Sequence, residues 1–285
     1  MSQAPHVDNQ LTADRRELKF RVPPTGARLL ARVLSERLPQ HRFTGPGANA
    51  LPGARHFVTT VYFDTADFEL YQAARTCEGS LKVRAKEYYD ENLALTELVR
   101  TRAALVHSSP ILWVELKESV TGRSRKRRIG IPKHEVARFF ATGQITEQML
   151  EIQRRTYATA SQEVLDALVE VCRRFTTPLC PSVVVNYRRT AWQDEDESLR
   201  VTIDRDLAFF AAAANTWPHS PRLERQHLGP KLGWDPLYIV EVKCLGGLPP
   251  WLQEALDTHA GELARTSKFL AASEAMLRAQ NHKDP

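Results

Sequence analysis

Apolar and charged positions alternate between Leu237 and Lys243, with Val240 and Val242 on one side of an extended chain and Glu241 and Lys243 on the other. A period of two among β-branched residues predicts a strand. The same pattern recurs at Glu17 and Lys19 with Leu18 and Phe20, and at Lys82, Arg84 and Lys86 with Leu81 and Val83. It recurs again at Glu115 and Lys117 with Val114 and Leu116, and at Arg200, Thr202 and Asp204 with Leu199, Val201 and Ile203. Strands are expected at 16–22, 57–63, 79–89, 111–119, 124–131, 181–192, 198–209 and 237–243. The two strands flanking Val120 to Arg123 form a hairpin turning at Gly122.

Between the strands the period changes to that of helices. Thr25 is the expected N-cap of a helix with an apolar stripe of Leu29, Leu30, Val33, Leu34 and Leu38. Helical patterns also fill 133–141, 146–154 and 161–175, and Pro249 and Pro250 open another helix, where a missing N–H costs little. A last helix over 266–279 carries Phe269, Leu270, Ser273, Met276 and Leu277 on one face. Asp64 opens a turn or short helix to Tyr71. Loops are expected over 44–54, around His107 to Pro110 within an ambiguous stretch 90–110, and over 213–235. The class is α+β. The organisation is a tail at 1–14, a single domain over 15–279 and a tail at 280–285.

Composition adds bounds. Of 285 residues, 42% are hydrophobic, enough for a substantial core. The net charge of +5 allows an anionic partner without requiring one. Cys77, Cys172, Cys180 and Cys244 show no CxxC spacing and read as reduced thiols of a cytoplasmic protein. The start of the chain has no apolar core of a signal peptide, and the most apolar run, Leu207 to Ala214, is too short to span a bilayer. Recruitment to a membrane would therefore need another protein.

Amphipathic helices need an apolar surface to cover, and the apolar strand faces supply one. The charged faces then point away from the helices, and about eight strands suffice to close a barrel around them. Burying so many cations without counter-charge is prohibitive. A lumen rich in Lys and Arg, with a few carboxylates, suits a phosphate chain and a divalent ion.

The ordered set resembles a known family. It comprises Glu17-Leu18-Lys19, Val61 to Asp64, Lys82-Val83-Arg84, Glu115-Leu116-Lys117, Lys126-Arg127-Arg128, Tyr187 to Ala191, Arg200 to Asp204, Glu241-Val242-Lys243 and Ser267-Lys268-Phe269. In that order it is similar to the VTC catalytic domain, the polyphosphate polymerases among the triphosphate tunnel metalloenzymes. Arg15 stands where the wider superfamily has a Glu, which favours this branch over the adenylate-cyclase and thiamine-triphosphatase branch. The resemblance implies a closed antiparallel β-barrel with helices outside, nucleoside triphosphate within, and Mn²⁺ or Mg²⁺ on the phosphates. It implies phosphate binding by Lys19, Lys82, Arg84, Lys117, Lys126, Arg128, Arg189, Arg200, Lys243, Ser267 and Lys268. Catalytic roles fall to Lys82, Arg84, Arg189, Arg200 and Glu241, and the metal to Glu241 with Glu17 or Glu115. The SPX domain and membrane segment of eukaryotic members find no counterpart in these residues.

Alternation sorts neighbouring residues. Of Arg188 and Arg189 only one faces inward, and the register selects Arg189; Arg125 and Arg127 likewise alternate with Lys126 and Arg128. Asp64 is read as a turn cap, Asp204 as able to orient an arginine, and Trp113 and Trp192 as packing residues. His56, His107 and His134 lack metal-ligand spacing.

The leading function is transfer of the γ-phosphoryl group of ATP to a growing inorganic polyphosphate chain. The alternatives are a metal-dependent triphosphatase of the same fold and a non-catalytic polyphosphate-binding module. Nucleic acid is disfavoured, because the cations alternate with apolar strand residues instead of clustering beside exposed aromatics.

Overall fold

The structure is a computed structural model that describes residues 15–41, 55–76, 80–90, 110–120, 123–156, 161–213, 228–264 and 267–282. The strands are β1 (Arg15–Val22), β2 (Arg55–Asp64), β3 (Ser80–Asp90), β4 (Ile111–Val120), β5 (Arg123–Pro132), β6 (Cys180–Gln193), β7 (Leu199–Ala211), β8 (Lys231–Trp234) and β9 (Tyr238–Leu245). The helices are α1 (Pro24–Arg37), α2 (Glu69–Thr76), α3 (Val136–Thr142), α4 (Glu147–Thr156), α5 (Ser161–Arg174), α6 (Pro250–His259) and α7 (Lys268–Asn281), with a 3₁₀ turn at Lys133–Glu135. The expected tail at 1–14, the loop at 44–54, most of 90–110, His107, Cys77 and the turn at Gly122 lie outside the described residues.

All strand pairs are antiparallel and form one sheet in the order β1-β9-β7-β6-β2-β3-β4-β5, with β8 paired to β7. The expected closed barrel is not what forms. Among the described residues β1 and β5, the two ends of this path, do not pair. The outer edge of β1 is instead taken by the segment before α7. Phe20 bridges Leu263, and the Ala264 N–H donates to the Lys19 carbonyl at 2.8 Å. That edge is then no longer available to β5. The sheet nonetheless curls until side chains of β1 and β4 meet, with Lys117 Nζ 3.7 Å from Glu17 Oε2.

The apolar faces carry two clusters. Phe20, Val22, Val201, Ile203, Val240 and Val242 pack beneath α1 and α6 through Ala27, Leu30, Leu34, Leu252 and Leu256. Val61, Phe63, Val83, Val114, Leu116 and Ile129 pack beneath α3, α4 and α5 through Phe139, Phe140, Met149, Leu165 and Leu168. At Gly26, where α1 meets α6, a Cβ would lie 2.3 Å from the His259 carbonyl oxygen, so the helices approach closely only because glycine stands there.

Three local expectations are corrected. Thr25 does not cap α1. Pro23 holds that position without a side-chain hydrogen bond, and Pro24 starts the helix with its fixed φ. Leu29 is exposed, and Ala27 is buried in the stripe instead. The strand β8 lies within the stretch expected to be loop, where it pairs with β7 beyond the end of β9. Asp64 does act as a cap, accepting from the backbone N–H groups of Thr65, Leu70 and Tyr71 at 2.8–3.0 Å at the entry to α2. Trp192 is buried and donates to Ser35 Oγ.

Candidate active site

The curled sheet brings most of the anticipated residues to one charged face, arranged in cross-strand rows. On one wall Lys82, Lys117 and Lys126 stand directly opposite one another across β3, β4 and β5. Two residues along each strand, the next row is Arg84, Glu115 and Arg128. On the other wall the rows are Arg200, Lys243 and Glu17, then Thr202, Glu241 and Lys19, across β7, β9 and β1. The Glu17–Lys117 contact joins the two walls.

The carboxylates are not equivalent. Glu115 is 2% exposed and is fully engaged: Arg84 Nε donates to one oxygen at 2.9 Å, Arg128 Nη2 to the other at 2.6 Å, and Lys86 Nζ lies at 3.9 Å. Burial alone would raise its carboxyl, but Lys86, Arg84 and Arg128 hold it well below the usual range. Glu241 pairs with Lys243 at 3.1 Å, and Glu17 pairs with Lys19. Burial opposes ionisation of Glu241 too, yet Lys243, Arg189, Lys19 and Lys268 keep it well below the ordinary carboxylate range. Burial and then Glu241 itself push Glu17 upward, and Lys117, Lys19 and Lys243 more than compensate.

The lysines carry the opposite signature. Burial, reinforced by Lys117, Lys19 and Arg84, pushes Lys82 down to about 8. Burial lowers Lys117 and Lys126, and lowers Lys86 most strongly, with Arg84 adding to the effect on Lys86. Among the described residues neither Lys82 nor Lys126 has a carboxylate within ion-pair distance. This is an excess of concentrated positive charge that an anion would relieve.

At the far end of the face α7 departs from the other helices. Its first turn reaches the charged side. Lys268 Nζ lies 2.7 Å from Asp204 and 4.9 Å from the Tyr187 ring centroid, and Phe269 packs on Tyr62 at 5.1 Å. Arg189 grips Asp204 with two hydrogen bonds of 2.6 and 2.8 Å. Burial opposes ionisation of Asp204, but Arg189 and Lys268 hold it below its usual value. Ser267 is the N-cap of α7, its Oγ accepting from Leu270 N at 3.4 Å. Arg200 sits apart from this end, near His41, whose imidazole is lowered by burial and then by Arg200.

The outward-facing arginines leave the site as alternation requires. Arg125 pairs with Glu163 on α5, Arg127 with Glu118, and Arg188 with Asp206 while lying over the Phe57 ring. Sequence reasoning did not single out three residues that this geometry adds. They are Lys86, legible as a member of the alternating face, and Tyr187 and Thr202, which stand within the quoted motifs but were given no role there.

The donor set fits a metal of one kind. Among the described residues no three His, Cys, Asp or Glu side chains form a group able to hold a metal ion. Glu241 and Glu17 lie on one wall while Glu115 is occupied on the other. Two carboxylates beside a cationic face suit a hard divalent ion that takes its remaining oxygens from phosphates and water. Among the described residues no helix is long and apolar enough to cross a membrane.

The family model described as "VTC domain" matches residues 14–277. Among solved structures, one protein from Pyrococcus horikoshii OT3 is 11% identical with a TM-score of 0.41, covering 93% of this chain and 99% of its own. A putative adenylate cyclase from Bacillus halodurans is 15% identical with a TM-score of 0.44, covering 90% of this chain and 96% of its own. No curated protein matches the chain.

Proposed function

The chain belongs to the VTC domain family, and from that premise we propose that it is a polyphosphate polymerase using ATP. The terminal oxygen of a polyphosphate chain attacks the γ-phosphorus of ATP, a new P–O–P linkage forms, the bond to the β,γ-bridging oxygen breaks, and ADP leaves. The observation that carries this reading is the row Lys82, Lys117 and Lys126 beside Arg84 and Arg128, a linear array of cations suited to a linear polyanion. Phosphoryl transfer of this type asks the protein for alignment and charge neutralisation and needs no protein nucleophile.

The roles divide along the face. Lys82, Lys117, Lys126, Lys19 and Lys243 bind the phosphates as point charges. Arg84, Arg128, Arg189 and Arg200 orient them, the first three being themselves fixed by Glu115 and Asp204. Lys268 and Ser267 bind at the α7 end. Glu241, helped by Glu17, would hold Mn²⁺ or Mg²⁺, which when bound neutralises charge on the transferred group. Glu115 then serves as the counter-ion of Arg84 and Arg128 and not as a ligand. A cytoplasmic setting, where ATP is supplied, accords with this chemistry.

Incubation with ATP and Mn²⁺, followed by a gel stained for polyphosphate and an assay for free phosphate, tests the proposal. A polymer ladder with stoichiometric ADP is expected. Phosphate release from ATP or tripolyphosphate without polymer would make the protein a triphosphatase. Tight polymer binding without turnover would make it a binding module.

A further inference from the structure

Thr202 occupies the row of Glu241, directly across from it on the neighbouring strand, with Ala191 opposite on the other side. Its neighbours Val201 and Ile203 enter the core beneath α1 and α6, so its own side chain belongs to the charged face. It is 4% exposed, and among the described residues its Oγ1 has no hydrogen-bond partner. A buried hydroxyl left unsatisfied is destabilising, and valine would fill the same volume without that cost. Among the described residues the hydroxyl therefore adds no hydrogen bond to the fold.

Its neighbour supplies a reason for it. Directly opposed residues on antiparallel strands bring their Cβ atoms within about 4.5–5.5 Å, close enough for a hydroxyl to reach a carboxylate. The Glu241 carboxylate is paired with Lys243 at 3.1 Å. A phosphate chain competes for that lysine, which is 38% exposed and able to turn toward it. Glu241 then loses its ion-pair partner at the moment it is needed, while Arg189, Lys19 and Lys268 still favour its charge without pairing with it at ion-pair distance among the described residues. Resting on the reading of the site given above, we propose that Thr202 is a positioning residue: its hydroxyl donates to Glu241 once Lys243 has turned to the phosphates, and so orients the carboxylate toward the divalent ion. Supporting partners of this kind fix the geometry of ligating carboxylates and affect metal affinity strongly.

The test is a thermal-melt titration of Mn²⁺ at fixed tripolyphosphate, on the parent protein, Thr202→Val and Thr202→Ser. Without ligand, Thr202→Val should melt at the parent temperature or above it. With tripolyphosphate, the Mn²⁺ concentration giving half of the stabilisation should rise about tenfold in Thr202→Val and return to the parent value in Thr202→Ser. Tripolyphosphate affinity in chelator should be the same in all three. A parent protein that tripolyphosphate and Mn²⁺ fail to stabilise overturns the reading of the site and this inference with it. A parent that responds, alongside a Thr202→Val protein with the same Mn²⁺ midpoint, overturns the inference alone. So does a Thr202→Val protein that melts well below the parent without ligand, because the hydroxyl would then be structural.

Discussion

Glu115→Gln and Glu241→Gln remove the same charge from the same face and should behave in opposite ways. Glu115 is the shared counter-ion of Arg84, Arg128 and Lys86, and its side chain is 3% exposed. Glutamine in its place leaves these cations facing a neutral amide. Removing one partner from a buried ion pair costs about 3–5 kcal/mol. Arg128 is 32% exposed and regains some hydration, which moves the figure toward about 3 kcal/mol. For a protein of this size that lowers Tm by roughly 6–12 °C. Glu241 differs in that its nearest partner, Lys243, is 38% exposed and can turn to water. Glu241 is itself 15% exposed and also faces Arg189, Lys19 and Lys268, so its loss should cost less than that of Glu115 but not nothing, about 1–2 kcal/mol, and Glu241→Gln should melt roughly 2–8 °C below the parent.

Ligand response should reverse this order. Glu115→Gln, once folded, should keep its Mn²⁺ midpoint with tripolyphosphate, and bound phosphates should recover part of the lost stability by replacing the missing counter-charge. Glu241→Gln should fold normally and lose Mn²⁺-dependent stabilisation and ATP turnover. Melting curves with and without tripolyphosphate, Mn²⁺ and chelator distinguish the two. If Glu115→Gln melts with the parent, or if Glu241→Gln retains the parent Mn²⁺ midpoint, the division between counter-ion and ligand is wrong.

Two further outcomes follow from the same charges. The Lys82 pKa of about 8 in the fold lies below its ordinary value of 10.5, so between these limits the unfolded chain binds more protons and ligand-free stability rises with pH. Tripolyphosphate affinity should fall over that same range, by up to about tenfold per pH unit above 8 for each lysine that must be protonated to bind, with Lys82→Ala removing one proton from the slope; calorimetry that finds flat affinity from pH 7 to about 9.5 refutes it. Replacing Lys82 and Arg84 together by Ala should weaken salt-sensitive polyphosphate binding far more than replacing Arg125 and Arg188, and equal losses would mean that the inward and outward registers are misread.

Much of this was legible in single strands. A period of two assigned Arg189 and Arg188, and Arg128 and Arg127, to opposite faces, and the structure pairs them accordingly with Asp204, Asp206, Glu115 and Glu118. What alternation cannot supply is the partner across the sheet. Glu17, Glu115 and Glu241 look alike in sequence, each two residues before a lysine. They differ because β4 lies between two strands that place Arg84 and Arg128 on either side of Glu115, whereas β9 sets Thr202 and Lys19 beside Glu241. The failure of the sheet to close has a similar origin. The segment at Leu263 and Ala264 has no strand pattern, yet it takes the edge of β1 because the chain passes there on its way from α6 to α7.

The row Lys82, Lys117 and Lys126 gives the strongest physical reason to expect a polyanion. Like charges directly opposed across strands are unfavourable, and here the arrangement repeats twice in succession. Burial adds to the repulsion, as the lowered lysines record. The apolar packing beneath these strands does not depend on them, because Val83, Leu116 and Ile129 on the other face supply it. Uncharged residues in the row would leave a more stable sheet. The Arg84, Glu115 and Arg128 row shows how the fold treats cations whose job is to stay in place, setting a carboxylate between them. Among the described residues the lysine row has no such carboxylate at its centre, only Glu17 at 3.7 Å from Lys117 across the seam. An isolated anion would neutralise one of the three lysines. A chain of linked phosphates, bearing charge at every unit, can meet all three at once.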